Sequence, residues 1–408
     1  MQIAILGLGA RGKLFATIAK REGIKIAAAC DIDDEQRKRA KECFDVAEDK
    51  IFDDAEKFFN AGRLADALVI STLDETHYRY AMRAIELGYN ILLEKPIALK
   101  EKDILDILHA SEKKGVKVSV CHVLRYTPFY RKIKEIIDSG VIGRIMNINQ
   151  TENVGYYHYA HSFVRGNWHN SKETCPMILA KCCHDFDLIL WLSGKSCKSL
   201  SSFGELTYFK KENAPEGSAA NCNDCIYKDT CAYSGIKIYT QYPKWVKVPC
   251  GCEENVENAM IQVRDKRNFY AKCVFRCDND VVDHQYVNME LEDGIYANLT
   301  MQAFSSRVYR RTQVCGTLGE INGVLEDDEI TLSVFGEPDK TIKIEVNDSL
   351  SQHSGGDKLL FLDFINLLEG NKSSAGLTSL EKSVESHIAA FRAEESRLCG
   401  GKTVELKK

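Results

Sequence analysis

Two patterns of apolar and polar positions alternate along the first third of the chain. Ile3–Leu6, Ile26–Cys30, Ala67–Ile70, Asn90–Leu93 and Lys117–Cys121 are short, nearly all-apolar runs. Between them Gly12–Glu22, a stretch reaching Lys41, His77–Leu87 and Lys102–Lys114 carry apolar residues at helical spacing. Strands apolar on both faces, separated by amphipathic helices, predict a doubly wound parallel α/β sheet over 1–121. Past Cys121 the rhythm changes. Tyr130–Ser139 reads as a helix ended by Gly140, and Ile145–Gln150, Val287–Leu291, Tyr296–Gln302 and Ile342–Val346 alternate with period two. Such alternation predicts a second, α+β domain over 122–408, built on a large, mostly antiparallel open sheet with one wet face. Residues 207–256 are rich in Cys, Asn, Tyr, Lys and Pro without periodicity, so they read as an insert; Leu359–Glu369 and Leu380–Arg397 read as closing helices.

Composition narrows the function classes. With 54 Lys and Arg against 59 Asp and Glu the net charge is −5, which leaves no basic field for a phosphate backbone and excludes nucleic acid as a main partner. No apolar run reaches the roughly 18–20 residues that span a bilayer, and the N-terminus has no basic region before an apolar one; a cytoplasmic protein without a membrane partner is expected. Sixteen cysteines in such a chain point to packing and clustering rather than a disulfide framework.

Gly7-Leu8-Gly9-Ala10-Arg11-Gly12 fits G-x-G-x-x-G directly after one strand and at the start of a helix. In that pattern Gly7 permits the tight turn and Gly9 the approach of a pyrophosphate. Gly12 permits close helix packing, and the backbone N–H groups from Ala10 and Arg11 face the phosphates. Asp31 ends the next strand, where a carboxylate bonds a ribose 2′-hydroxyl and repels a 2′-phosphate, so NAD is favoured over NADP despite Arg37 and Arg39 nearby. Glu94-Lys95-Pro96 follows the strand Asn90–Leu93, which puts Lys95 on the ligand side of a parallel sheet.

The glycine turn, Ser71-Thr72 with His77 five residues on, Leu87-Gly88 and Glu94-Lys95-Pro96 together resemble the Gfo/Idh/MocA oxidoreductases. Arg125 with Pro128, and Gly140-Val141-Ile142-Gly143, fit the continuation of that family into its second domain. The resemblance implies a Rossmann domain, NAD(P)-dependent chemistry on a CHOH group of a sugar, cyclitol or glycoside, and cofactor contacts from Ser71, Thr72, His77, Glu94, Lys95, His122 and Arg125. It also implies that Lys95 and a His of the second domain flank the reacting carbon, and His184 matches that His. Many relatives carry Asp four residues before it. Here Ala180 stands there and Lys181 follows, which leaves the proton-transfer group open among Lys95, Lys181 and His184. Cys182 and Cys183 read as small packing residues. Tyr126, Arg165, Trp168, His169, Asp187 and His284 are the candidate substrate contacts. Asp280–Gln285 and His353–Asp357 read equally as substrate contacts or as satisfied turns.

Within the insert, Cys222, Cys225 and Cys231 form C-x2-C-x5-C, with Cys250 and Cys252 about twenty residues on. Three thiolates plus Cys250 or Cys252 would complete a structural zinc site; an iron–sulfur cluster or free thiols are the rivals. Cys273 and Cys277 read as facing the sheet core. The expected activity is NAD(P)-dependent oxidoreduction, in a homo-oligomer (dimer or tetramer) closed over its open sheet. The alternatives are a redox-assisted glycosidase that keeps NAD bound and a non-catalytic NAD sensor.

Overall fold

Each apolar run near the N-terminus is followed by a helix that returns the chain to the same end of the sheet, the connection that parallel strands require. The computed structural model describes residues 1–249, 252–265, 267–345, 355–371, 374 and 378–406. Its first sheet holds β1 (Gln2–Leu6), β2 (Lys25–Cys30), β3 (Ile51–Phe52), β4 (Ala67–Ile70), β5 (Asn90–Leu93) and β6 (Val118–Val120). All pairs are parallel, in the order β3-β2-β1-β4-β5-β6. The order reverses between β1 and β4, so the strand ends open a crevice there. Helices α1 (Ala10–Arg21), α2 (Asp34–Phe44), α3 (Ala55–Asn60), α4 (His77–Glu86) and α5 (Glu101–Lys114) make the crossovers. Every residue of β4 is fully buried, which is why these strands read as continuous apolar runs.

The second half opens with α6 (Pro128–Asp138), started by the Thr127 hydroxyl, which accepts from the Tyr130 N–H, and by Pro128 in the first turn. Then follow β7 (Ile145–Asn153), α7 (Tyr156–Tyr159) running into a π-helical turn at Ala160–Arg165, α8 (Met177–Ser193) and β8 (Cys197–Glu205). After the insert with α9 (Gly235–Gln241) and α10 (Val256–Arg264) come β9 (His284–Leu291), β10 (Tyr296–Gln302), β11 (Tyr309–Gly316), β12 (Gly319–Val324), β13 (Glu329–Val334) and β14 (Lys340–Lys343). The chain closes with α11 (Gly356–Leu368), α12 (Leu380–Leu398) and β15 (Val404–Glu405). The nine strands lie in the order β14-β13-β12-β11-β7-β10-β9-β8-β15, antiparallel except for the β7–β10 pair.

The period-two pattern of β9 and β10 is matched by burial. Val287, Met289, Leu291, Leu299 and Met301 lie under the helices, while Phe203, Tyr286 and Tyr296 stand exposed on the other face. Two boundaries differ from the sequence reading. β14 stops at Lys343, and Val346 lies outside the described residues. α8 starts at Met177, which places Lys181 and His184 inside one long helix. The irregular segment between β8 and β9 runs over 206–283, well past the expected 207–256, because α10 and the turns after it also belong to it. Among the described residues no helix is long and apolar enough to cross a membrane.

α11 returns from the second half to pack on α1, where Phe361 stacks on Phe15 at 5.9 Å with both rings fully buried. Replacing Phe361 by Ala removes a buried aromatic at this junction and is expected to cost about 3–5 kcal/mol. The check is a lowered urea midpoint, with Phe361→Leu retaining most of the stability.

Candidate active site

The glycine turn is a tight piece of backbone. Gly7 has φ +88°, and a Cβ there would stand 2.7 Å from the Ser71 carbonyl oxygen. A Cβ on Gly12 would fall 1.9 Å from the Gly7 oxygen, so only glycine lets α1 approach the turn. Gly9 differs: it has an ordinary negative φ, and a Cβ there would meet no atom within 4 Å. The space over Gly9 is a cradle at the N-terminus of α1, where free N–H groups and the helix dipole favour an anion. Asp31 sits at its edge. Its carboxylate accepts from the backbone N–H of Leu8 (2.6 Å) and of Asp33 (2.8 Å), and each oxygen keeps a lone pair for a further donor such as a ribose hydroxyl.

The loops at the other strand ends are braced to this turn. The Ser71 hydroxyl donates to the Gly7 carbonyl at 2.8 Å, and the Thr72 and Thr76 hydroxyls share a bond of 2.6 Å. The buried His77 ring bridges the carbonyl oxygens of Pro96 (2.7 Å from Nδ1) and Thr72 (3.2 Å from Nε2), tying the end of β4 to the Glu94-Lys95-Pro96 turn, whose Lys95–Pro96 bond is cis. Arg11 spans Glu94 (2.5 Å) and Asp357 (2.7 Å) and lies over the Phe15 ring. Its side chain is committed to holding α11 and β5 against α1.

From this frame Lys95 crosses to the second half. Its Nζ donates to the Ala180 carbonyl in the first turn of α8 at 2.8 Å. One residue on, Lys181 Nζ stands 3.4 Å from Glu152 Oε1, and Arg310 takes the other oxygen of that carboxylate at 2.5 Å. Arg310 also reaches Asp185, which accepts from Gln150. Four charges, two of each sign, are thus stacked between α8, β7 and β11. His184, one turn after Lys181, is buried with its ring 5.4 Å from His122, and His122 is 5.3 Å from His387. Burial first, then Arg125 and Lys95, push the His122 imidazole well below its usual range; burial and His122 bring His387 to about 3. Cys182 and Cys183 are pushed up by burial, Cys183 to about 12, so both stay protonated packing residues.

The chain as a whole is similar to known proteins in both halves. Its residues 1–122 match the oxidoreductase family model described as an NAD-binding Rossmann fold, and residues 134–387 match the C-terminal alpha/beta domain of the same family. The chain belongs to the Gfo/Idh/MocA family. It is 27% identical over 320 residues to YteT of Bacillus subtilis, a provisionally named oxidoreductase, across 73% of this chain and 71% of that one. To the inositol 2-dehydrogenase/D-chiro-inositol 3-dehydrogenase of Lactiplantibacillus plantarum it is 23% identical, across 96% and 89%. Its fold is shared with an oxidoreductase from Agrobacterium radiobacter solved with NAD+, L-tartaric acid and magnesium, at a TM-score of 0.71 and 14% identity over 99% and 98% of the two chains.

The Gfo/Idh/MocA chain uses several expected contact residues as braces. Arg125 makes a two-pronged pair with Asp187 (2.6 and 2.5 Å) through Nε and Nη2, both residues buried. Tyr126 donates its hydroxyl to Asp363. His284 is pinned to Asp283, whose carboxylate also accepts from the Thr207 and Tyr208 N–H groups at the base of the insert. Within Asp280–Gln285, Asp280 accepts from the Ser171 N–H and hydroxyl, and His284 and Gln285 begin β9; of the second such stretch, His353 and Ser354 lie outside the described residues. Arg165, Trp168 and His169 do line a cleft of about 430 Å³ together with Asp74, Lys272 and Asp278. Trp168 Nε1 donates to Asp74 at 2.8 Å, while Arg165 is spent on the carbonyls of Lys272 and Tyr233.

The zinc expectation is not supported. Cys250 lies outside the described residues, and among those described no three His, Cys, Asp or Glu side chains converge as a metal site requires. Cys222, Cys225 and Cys231 instead border a small void of about 30 Å³ that Cys273 also borders, and Cys222 Sγ accepts from the Gly235 N–H. The expectation assumed an insert too polar to order itself. In fact Ile238, Tyr239, Val246, Met260, Val263 and Phe275 are buried and join the insert to the apolar core of the second half.

Sequence reasoning missed His158 and Trp245. His158 lies within electrostatic reach of Lys181 and Lys95; burial first, then Lys181 and His161, push it well below the usual range. Its ring packs on Trp245 of the insert at 5.1 Å. The signal was faint: an aromatic stretch Tyr156-Tyr157-His158-Tyr159 without a catalytic spacing.

Two predictions follow from this geometry. Gly9→Ala is expected to melt like the parent yet bind NADH at least tenfold more weakly, because its methyl enters only the space a pyrophosphate would take, whereas Gly12→Ala loses both stability and binding; calorimetry and NADH fluorescence titration check both. Second, His387 binds no proton in the fold until about pH 3, while an unfolded His does so near 6.5. Between those values the unfolded chain holds more protons, so stability is intact above about pH 6.5 and falls as acid is added. His387→Gln is expected to flatten that fall in a series of melting curves.

Proposed function

We propose that this chain is an NAD-dependent dehydrogenase that exchanges hydride with a CHOH group of a cyclitol or sugar. The observation that carries the reading is Lys95, held at the end of β5 and reaching the first turn of α8 beside Lys181 and His184. The inositol dehydrogenase among the relatives and the NAD+ of the Agrobacterium radiobacter structure support substrate class and cofactor. The residues present fit a dinucleotide: the Gly9 cradle for the diphosphate and Asp31 for the adenosine ribose. When bound, NAD supplies the hydride acceptor.

The chain's own residues do the rest. Lys95 keeps two of its three N–H donors after bonding Ala180, and these orient the substrate hydroxyl and stabilise the developing alkoxide. Glu152 holds Lys181 in an ion pair, which suits Lys181 to grip a neighbouring hydroxyl of the substrate. The hydroxyl proton then goes to the His184 imidazole, or to Lys95 when it stands as the neutral amine with a free nitrogen lone pair. The exposed Phe203, Tyr286 and Tyr296 on the open sheet face support a homo-oligomer closed over that face.

Assay of purified protein with NAD against cyclitols and aldoses, following NADH at 340 nm, tests the reading. Lys95→Ala is expected to lower kcat by about 10²–10⁴-fold with NADH affinity within threefold of the parent. His184→Asn is expected to abolish or shift the alkaline-rising limb of the pH profile if His184 is the base and to leave it in place if Lys95 is. Absence of turnover on every CHOH substrate defeats the proposal, and release of aglycone from a synthetic glycoside without net NADH would replace it by the redox-assisted glycosidase.

A further inference from the structure

The insert does more than decorate the second half, because one short part of it touches both halves. Tyr242 stacks on Tyr157 of α7 at 4.2 Å with 12° between the rings. Trp245 packs against His158 at 5.1 Å and His161 at 5.0 Å, and remains half-buried. Val246 and Val248 are buried. Between them Lys247 forms an ion pair with Asp33, the residue that caps α2 and donates its N–H to Asp31. Lys247 and Glu254 are also within electrostatic reach of Lys13 on the first turn of α1.

These contacts fix the path of the segment. Asp33 marks the ribose edge of the crevice and Lys13 the diphosphate edge, while His158 lies in reach of Lys95 and Lys181 at the reacting end. Residues 242–248 thus touch both halves, at Asp33 on one side and at Tyr157, His158 and His161 on the other. We infer that they form a strap across the dinucleotide groove, latched by Lys247 to the ribose loop, with Trp245 as a stacking wall for the ring of the substrate. This rests on the NAD-dependent reading above. A half-buried indole packed on His158, whose ring is within electrostatic reach of Lys95 and Lys181, suits a polyhydroxylated ring, which offers C–H groups on its faces and hydroxyls at its rim.

The latch is weak by design of its surroundings. Lys247 is mostly exposed, and an exposed pair contributes about 0.2–1 kcal/mol. The strap can thus open for cofactor exchange, yet its contacts delay release.

Stopped-flow displacement of NADH from the full-length protein tests the latch, and steady-state KM tests the wall. Lys247→Ala is expected to raise the NADH off-rate roughly two- to fivefold, the range that such a pair corresponds to. Lys247→Glu, facing Asp33 with like charge, is expected to raise it at least tenfold, and Lys247→Arg to restore it; added salt speeds release from the parent but not from Lys247→Ala. Trp245→Ala is expected to raise substrate KM about tenfold with kcat within threefold, and Trp245→Phe to keep most of the affinity. An unchanged off-rate in Lys247→Glu, or equal losses in Trp245→Ala and Trp245→Phe together with a lowered melting point, overturns the strap. A parent protein that binds no NADH fails the dinucleotide reading itself.

Discussion

The site hangs on one hydrogen bond between the halves, from the Lys95 ammonium at the end of β5 to the Ala180 carbonyl on α8. A backbone carbonyl inside a helix already accepts from its own ladder, and a second lone pair is free for a donor from outside. By using it, the Lys95 side chain ties the end of β5 to the backbone of α8 itself and not to one of its side chains. Everything at the crevice follows from that register. Lys181 is turned toward Glu152, His184 toward His122, and the two lysines stand on adjacent residues' worth of helix. A small rotation of α8 would break all three relations together.

What keeps α8 from rotating is a buried set of charges. Lys181, Glu152, Arg310 and Asp185 alternate in sign, and Gln150, Tyr130 and Thr312 extend the hydrogen bonding from Asp185. Taking such groups out of water is costly, and the pairing mainly recovers that cost, so the cluster is better understood as a register device than as a source of stability. Its members come from α8, β7 and β11, so each charge finds a partner only when helix and sheet are in one alignment. A shift of one residue in β7 would turn Glu152 to the wet face.

The first half was legible in the sequence because its strands are buried on both sides and its glycine turn obeys steric rules of its own. β4 and β5 were read to the residue. β3, two residues long, and β12, with glycine at both Gly319 and Gly323, carry too few apolar positions to stand out. In the second half, α8 is apolar nearly all round, so it has no amphipathic stripe to mark its start. The side-chain roles were harder still. His77, Arg125, Tyr126 and His284 were chosen by type and place in the chain, yet each is occupied by a partner far off in sequence or across a turn. Residue type shows what a group is able to bond. Only the fold shows which bonds are already made.

The departure from the family pattern at Ala180 is then a change in how one requirement is met. A carboxylate at that place would give Lys95 an anionic partner and fix it as a cation. A peptide carbonyl gives it a neutral partner whose place is set by the helix backbone whatever the side chain, so Lys95 is positioned by a dipole instead of a charge. The charge that the carboxylate would have balanced reappears one residue on as the Lys181–Glu152 pair, buried and shared with Arg310. Placement and charge balance, which one aspartate would combine, are divided here between a backbone atom and a separate ion cluster.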